Sequence, residues 1–150
     1  PYAAKEAGAF IVATGRGDFP NQVNNSVGFP GILKGALMVR AKKVSDRMAI
    51  AAAESLAHFA EKRGIHPDNI IANMDETGVF PYEAADVAMK AIEEGLARVN
   101  MTREEAYAKA EKDIQESRSL VKHLIDESFI KQPPEEMLQE ALEWAIKEVS

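Results

Sequence analysis

One short apolar run, Phe10-Ile11-Val12, leads directly into a polar loop that extends to Gly31. The run predicts a β-strand over about residues 9–13. A strand this apolar is normally covered on both faces of a sheet, and the rest of the chain offers no convincing second strand. The expectation is therefore an α/β fold overall, in which this chain is mostly α-helical with one apolar strand and other sequence completes the sheet.

The loop after this strand places four carboxamides, Asn21, Gln22, Asn24 and Asn25, within five residues. Each carboxamide offers an acceptor and two donors without charge, and open α/β sheets bind ligands where a strand ends in a loop. A helix predicted to begin near Pro30 would place Asn24 and Asn25 just upstream of its N-terminus, where an anion is favoured. The sequence predicts a site for a small anion. The alternative is a turn whose amides cap only their own backbone.

The rest of the chain is predicted to be helical, with recognisable ends. Ser45 is a suitable N-cap, Gly64 a suitable stop, and Thr102 with Glu105 forms a capping box. Alanine-rich helices in the middle of the chain indicate close helix packing. The predicted helices cover residues 1–7, 29–40, 45–63, 81–97, 102–127 and 134–149, with a mixed loop over residues 64–80.

The composition excludes several classes of function. A net charge of −6 argues against nucleic-acid binding, because phosphates require a positive surface. The absence of cysteine excludes disulfides and thiolate metal sites. No apolar run approaches the roughly 20 residues that span a bilayer, so a membrane partner is not expected and a cytoplasmic location is the prediction.

The ordered string Ala-Thr-Gly-Arg-Gly-Asp-Phe-Pro-Asn-Gln-Val-Asn-Asn over residues 13–25, continued by Gly-Phe-Pro-Gly-Ile over residues 28–32, closely resembles malic enzymes. The resemblance is strong over about residues 9–60 and weaker to about residue 98. It implies oxidative decarboxylation of malate to pyruvate and carbon dioxide, with NAD or NADP as hydride acceptor and Mg²⁺ or Mn²⁺ as Lewis acid. It further implies that residues 1–100 are the C-terminal part of a Rossmann-like NAD(P)-binding domain and residues 101–150 a helical extension.

The resemblance also implies roles for individual residues. Asn24 and Asn25 match the family's twin asparagines, at least one of which contacts the malate carboxylate near the nicotinamide. Thr14 and Gly15 match the strand end that closes over the cofactor side, and the resemblance implies that Asn24 contacts the cofactor as well. Lys34 stands where the family usually has arginine, so it keeps the charge but loses the planar fork that binds carboxylates at two points.

The family's remaining catalytic groups lie upstream of this motif. These are the tyrosine acid, the lysine base, the three carboxylate metal ligands and the glycine-rich cofactor turn. The chain is therefore expected to be the tail of a longer enzyme, to contain no catalytic or metal-ligating residue of its own, and to need the N-terminal remainder as a partner. Alone, it is expected to be inactive.

The last predicted helix carries one wide apolar face, formed by Leu138, Ala141, Leu142, Ala145 and Ile146. Such a face must dock on the parent domain or on another subunit, and the resemblance favours a homodimer or a higher homo-oligomer. The alternative hypothesis for the whole chain is a non-catalytic helical interaction module that retains a malic-enzyme-like loop.

Overall fold

Helices account for nearly all the regular structure of the computed structural model, which describes residues 1–149. The apolar and capping patterns in the sequence place these helices where the expectations above locate them, with differences at several ends. In chain order they are α1 Tyr2–Glu6, α2 Asn25–Met38, α3 Asp46–Arg63, α4 Val79–Glu93, α5 Arg103–Asp126 and α6 Glu135–Val149.

The predicted capping residues of α3 and α5 are confirmed. The Ser45 hydroxyl accepts a hydrogen bond from the Met48 backbone N–H at 3.2 Å, and α3 ends at Gly64 with φ 96°. Before α5, the Glu105 N–H donates to the Thr102 hydroxyl at 3.2 Å, and the Thr102 N–H donates to the Glu105 carboxylate at 2.8 Å. These short-range hydrogen bonds explain why the ends of both helices were predictable.

The predicted start of α2 was wrong by about one helical turn, whereas that of α4 lay within two residues of the observed start. Helix α2 begins at Asn25 rather than near Pro30, because the Asn24 side chain accepts a hydrogen bond from the Ser26 N–H at 3.0 Å and caps the helix one turn earlier. Helix α4 begins at Val79, which places Pro81 in its first turn, where a missing N–H is tolerated.

The predicted strand over residues 9–13 does not form in the described part of the chain, and this expectation was wrong. Just beyond it lies an isolated parallel bridge between Thr14 and Gln22. A strand is stable only when a neighbour satisfies its backbone N–H and C=O groups, and residues 1–149 contain no other strand to pair with it. Accordingly, Phe10 and Ile11 are exposed.

The core lies among α2, α3 and α4 and is built from small side chains. Helices α2 and α4 approach so closely that a Cβ atom on Gly35 would lie 2.5 Å from the Ala84 carbonyl oxygen and 2.8 Å from the Val87 Cβ. The close helix packing expected from the alanine content is therefore confirmed. The main buried cluster consists of Met38, Val39, Met48, Ala52, Ala84, Ala85, Val87, Ala88, Ala91, Ala106 and Ala110.

The chain divides into two compact units, residues 1–113 and the residues from Ile114 onward. The second unit contains the rest of α5, a turn in which the Ile130 N–H donates to the Leu124 carbonyl at 3.0 Å, and α6. Several of its large apolar side chains are exposed, among them Leu138, Leu142 and Trp144. No helix within residues 1–149 combines the length and the apolar character needed to cross a membrane.

Candidate functional site

The carboxamide-rich loop is closed at its base by backbone hydrogen bonds to Thr14. The Thr14 N–H donates to the Asn21 carbonyl at 3.3 Å, and the Val23 N–H donates to the Thr14 carbonyl at 2.8 Å. A Cβ atom on Gly15 would lie 3.8 Å from the Val23 carbonyl oxygen. The structure thus brings Thr14 and Gly15 beside the residue that precedes Asn24.

Asn21 holds this loop to the rest of the domain. Its Nδ2 donates to the carbonyl groups of Val12 at 3.1 Å and Pro67 at 2.7 Å, while its Oδ1 accepts from the Ile70 N–H at 2.9 Å. The side chain is buried, and the backbone adopts a positive φ of 56°, which asparagine tolerates better than most residues. Asn21, one of the four carboxamide residues of the loop, is therefore a structural residue.

Asn24 and Asn25 lie at the N-terminus of α2, and their side chains are used differently. The Asn24 Oδ1 accepts from the Ser26 N–H at 3.0 Å and from the Ser26 hydroxyl at 2.8 Å. The alternative expectation, that these amides cap the backbone, thus describes one oxygen of Asn24. Asn25 is exposed. Asn24 is the N-cap of α2 and Asn25 its first residue, next to the N–H groups that the first turn of a helix leaves free.

The charged residues of the loop pair with each other. The Arg16 guanidinium donates to the Asp18 carboxylate at 2.8 and 2.5 Å and lies 5.0 Å from the centroid of the Phe19 ring. Its hydrogen bond lowers the pKa of Asp18, although both side chains are exposed. Asp18 is therefore an ionised turn residue, and this arrangement does not suit a general acid.

Lys34 points to a structural partner. Its ammonium group pairs with the carboxylate of Asp113, which also lies 3.5 Å from Lys109 Nζ. The hydrogen bond from Lys34 lowers the pKa of Asp113. This ion pair therefore connects Lys34 of α2 to α5.

Beneath α2 lies a carboxyl group that the sequence did not reveal. Glu83 of α4 is fully buried against Gly28 and Gly31 of α2, and neither of its carboxyl oxygens has a hydrogen-bond partner among residues 1–149. Burial raises the pKa of Glu83 to about 8, and the nearby Gly31 backbone N–H only partly offsets the shift. Burial therefore favours the neutral, protonated form of Glu83 at pH 7, and this side chain packs beneath the helix whose N-terminus carries Asn24.

A signal for this burial was present in the sequence. Glu83 lies at helical spacing from Val79 and Val87, both of which are fully buried. The position therefore belongs to the inward stripe of α4, even though glutamate is ordinarily a surface residue.

The described residues do not form a metal centre. Within residues 1–149, no three His, Cys, Asp or Glu side chains are grouped so that they can hold a metal ion. Glu76, one of two adjacent loop acids, pairs with Arg63 and accepts from the Asn73 N–H at 3.1 Å. Its role is to hold the loop after α3.

The structure thus places a folded, carboxamide-rich loop directly before the N-terminus of α2, within a layer of packed helices. The sequence profile described as "Malic enzyme, NAD binding domain" matches residues 10–95. The chain therefore belongs to the malic enzyme family.

Individual relatives agree with this assignment. The crystal structure of Entamoeba histolytica malic enzyme is 64% identical with a TM-score of 0.89, and the match covers 100% of this chain and 31% of that chain. The bifunctional malic/malolactic enzyme of Bacillus subtilis is 45% identical over 112 residues, which are 75% of this chain and 27% of that protein.

The malic enzyme of Pyrococcus horikoshii is similar in structure, with a TM-score of 0.78 and 42% identity over 83% of this chain and 28% of its own. Other relatives are named NAD-dependent or NADP-dependent malic enzymes. The chain thus spans less than a third of the length of the relatives it matches first.

Proposed function

We propose that the intact protein containing this chain is a malic enzyme, which oxidises and decarboxylates malate to pyruvate and carbon dioxide with NAD or NADP. The observation that carries this proposal is the match of residues 10–95 to the NAD-binding domain of the family. In this proposal the chain contributes the C-terminal part of a Rossmann-like α/β domain over residues 1–100.

In this proposal Asn24 and Asn25 bind the malate carboxylate. The exposed Asn25 carboxamide and the Asn24 Nδ2 group offer neutral donors at the N-terminus of a 14-residue helix. Free backbone N–H groups and the positive end of the helix dipole favour a negative charge there. The chain's own contribution to the reaction is to bind and orient an anionic substrate.

Thr14, Gly15 and Asn24 would hold the nicotinamide side of the cofactor. Their suitability rests on the absence of a side chain at Gly15 and on the backbone hydrogen bonds that fix Thr14 beside Val23. When bound, NAD or NADP accepts the hydride. The residues present do not fit a Mg²⁺ or Mn²⁺ site, so the metal ligands, the acid and the base are assigned to the N-terminal remainder of the enzyme.

We assign residues 101–150 to contacts between subunits of a cytoplasmic homodimer or higher homo-oligomer. Leu138 and Leu142 occupy one face of α6 at i and i+4, and their exposed fractions are 53% and 56%. Replacing both with glutamate in the full-length protein should yield a smaller species in sedimentation equilibrium. Replacing Glu140, an exposed neighbour, with glutamine is the matched control.

The activity itself is tested by malate-dependent reduction of NAD and of NADP with manganese present. The full-length protein should reduce at least one cofactor, whereas the isolated 150-residue chain should reduce neither. No activity in the full-length protein would contradict the proposal. Such a result would favour the alternative of a non-catalytic helical interaction module.

A further inference from the structure

Glu83 lies beneath the first half of α2, the helix whose N-terminus is proposed above to bind malate. A Cβ atom on Gly28 would lie 3.8 Å from the Glu83 oxygen Oε1, and a Cβ atom on Gly31 would overlap Oε2. Gly28 comes three residues after Asn25, the first residue of α2, which is about 4.5 Å along the helix axis. The Glu83 carboxyl group is therefore one to two helical turns from the proposed anion site.

The environment of Glu83 favours the uncharged form of its carboxyl group. The side chain is fully buried, and neither carboxyl oxygen has a hydrogen-bond partner among residues 1–149. A carboxylate that has lost its water and gained no hydrogen bond or counter-charge is strongly unfavourable. Burial accordingly raises the pKa of Glu83 to about 8.

The helices around Glu83 provide no counter-charge for it within residues 1–149. The ion pairs formed by α2 and α4 are Lys34 with Asp113, Asp86 with Arg103 and Lys90 with Glu93. Tyr82, which precedes Glu83, packs its ring 4.8 Å from the ring of Tyr107. The residues that α3 and α5 bury are uncharged, and the half-buried Arg63 of α3 pairs with Glu76. An ionised Glu83 would therefore lack a counter-ion.

A negative charge on Glu83 would oppose the binding of an anion at the N-terminus of α2. The free N–H groups of the first turn and the positive end of the helix dipole attract an anion, whereas a carboxylate one to two turns behind them repels it. Salt screens exposed charges over about 10 Å at ordinary ionic strength, and buried charges are screened much less. The uncharged carboxyl group therefore leaves the attraction of the helix end undiminished.

We propose that Glu83 is a positioning residue for malate, because its uncharged carboxyl group holds the first half of α2 on α4 and keeps negative charge away from the anion site. Loss of the Glu83 proton to solvent weakens malate binding, since the new charge repels the malate carboxylate and can be hydrated only by parting the two helices. By linkage, bound malate favours the protonated form of Glu83. This inference rests on the proposed binding of malate by Asn24 and Asn25.

The KM for malate of the full-length enzyme, measured from pH 7 to pH 9.5, tests the proposal. Across this range KM should rise at least threefold more in the natural protein than in Glu83→Gln, whose amide has nearly the same shape and stays uncharged. Glu83→Met, a second uncharged variant of similar length, should resemble Glu83→Gln. Groups elsewhere in the enzyme titrate equally in all three proteins, so the difference between their profiles isolates Glu83.

The possible failures are distinguishable. An equal change of KM in the natural protein and in both uncharged variants would overturn the role of Glu83 while malate oxidation at pH 7 still supports the proposed function. Absence of malate oxidation in the natural protein at pH 7 would instead overturn the proposed function, and this inference with it.

Val87→Ala is the matched control for helix packing. Val87 is a fully buried residue of α4 one turn after Glu83, and it packs against Gly35 of α2. The variant loosens α2 against α4 without removing a titratable group, so its KM should change with pH as it does in the natural protein. Loss of this pH dependence in Val87→Ala as well would assign it to packing alone and overturn the role of the Glu83 charge.

Discussion

Glu83 of α4 packs its carboxyl group directly against the backbone of Gly31 in α2, where a Cβ atom would overlap the carboxyl oxygen Oε2. The same carboxyl group lies at an ordinary contact distance from Gly28, at which a Cβ atom would be 3.8 Å from Oε1. The buried Glu83 carboxyl group therefore leaves no room for a side chain at one of these glycines and ordinary room at the other. At Gly31 the missing side chain is required, and at Gly28 it is not.

Gly31→Ala is expected to destabilise the protein by about 2–3 kcal/mol, because the added methyl group forces apart two packed helices. Gly28→Ala, the matched control, should be neutral or stabilising by up to about 1 kcal/mol, since alanine favours the helix over glycine. The free energy of unfolding from urea titration decides between these outcomes. Equal effects at the two positions would contradict the packing described here.

A second variant separates the carboxyl group from the rest of the interface. In the Glu83→Ala background, Gly31→Ala should cost much less than it does alone, because the atoms that it meets have been removed. A double-mutant cycle measures this coupling. Additive effects would show that the overlap is with some other group.

The raised pKa of Glu83 predicts a pH dependence of stability. Below pH 4.5 the carboxyl group is protonated in both states; between pH 4.5 and about 8 only the folded state keeps the proton. The free energy of unfolding should therefore fall by about 1.4 kcal/mol per pH unit across this window and be fully reduced above it.

Glu83→Gln is the control for this pH dependence, because the amide has nearly the same shape and does not titrate. Subtracting its stability profile from that of the natural protein isolates the contribution of Glu83. A flat difference between pH 5 and 8 would contradict the raised pKa. The charged side chains of α2 and α4 other than Glu83 form ion pairs: Lys34 with Asp113, Asp86 with Arg103 and Lys90 with Glu93.

Interactions within a few residues of each other were the predictable part of this structure. The caps at Ser45 and at Thr102 with Glu105 follow from local sequence, and they formed as expected. The strand over residues 9–13 failed for the opposite reason. Its stability depends on backbone partners, and the described residues do not provide them.

The candidate site was also predictable only in part. The sequence located Asn24 and Asn25 near a helix N-terminus, but it did not distinguish a capping amide from a free one. That distinction depends on Ser26, whose N–H and hydroxyl both donate to Asn24 Oδ1. The structural role of Asn21 was hidden because its partners Pro67 and Ile70 are more than forty residues away.

Asn21→Ala should destabilise the protein by about 3 kcal/mol, because it removes three hydrogen bonds and leaves the Ile70 N–H without its acceptor. It also places alanine at φ 56°. Asn21→Gly removes the same hydrogen bonds without the backbone strain. The difference between the two variants in thermal unfolding measures the strain, and no loss in either would contradict the role of Asn21.

Asn24 and Asn25 can be tested without disturbing the helix that they precede. Asn24→Ser keeps an N-cap acceptor but removes the Nδ2 donor, and Asn25→Ala removes an exposed carboxamide. In the full-length enzyme, Asn25→Ala should lower kcat/KM for malate by a factor equivalent to about 1–3 kcal/mol, the cost of a lost hydrogen bond to a charged group. Asn24→Ser should do the same while changing stability by less than about 0.5 kcal/mol.

Comparison with Asn21→Gly shows whether the loss of kcat/KM in Asn25→Ala and Asn24→Ser reflects malate binding. That variant weakens the same loop through its attachment to Pro67 and Ile70, so a loop that is only structural would give all three variants lower stability and an unchanged KM for malate. If the carboxamides bind malate, Asn21→Gly should lower the free energy of unfolding. Asn25→Ala and Asn24→Ser should instead raise the KM for malate. Since the α2 cap survives in Asn24→Ser, a KM change there is assigned to the missing Nδ2 donor.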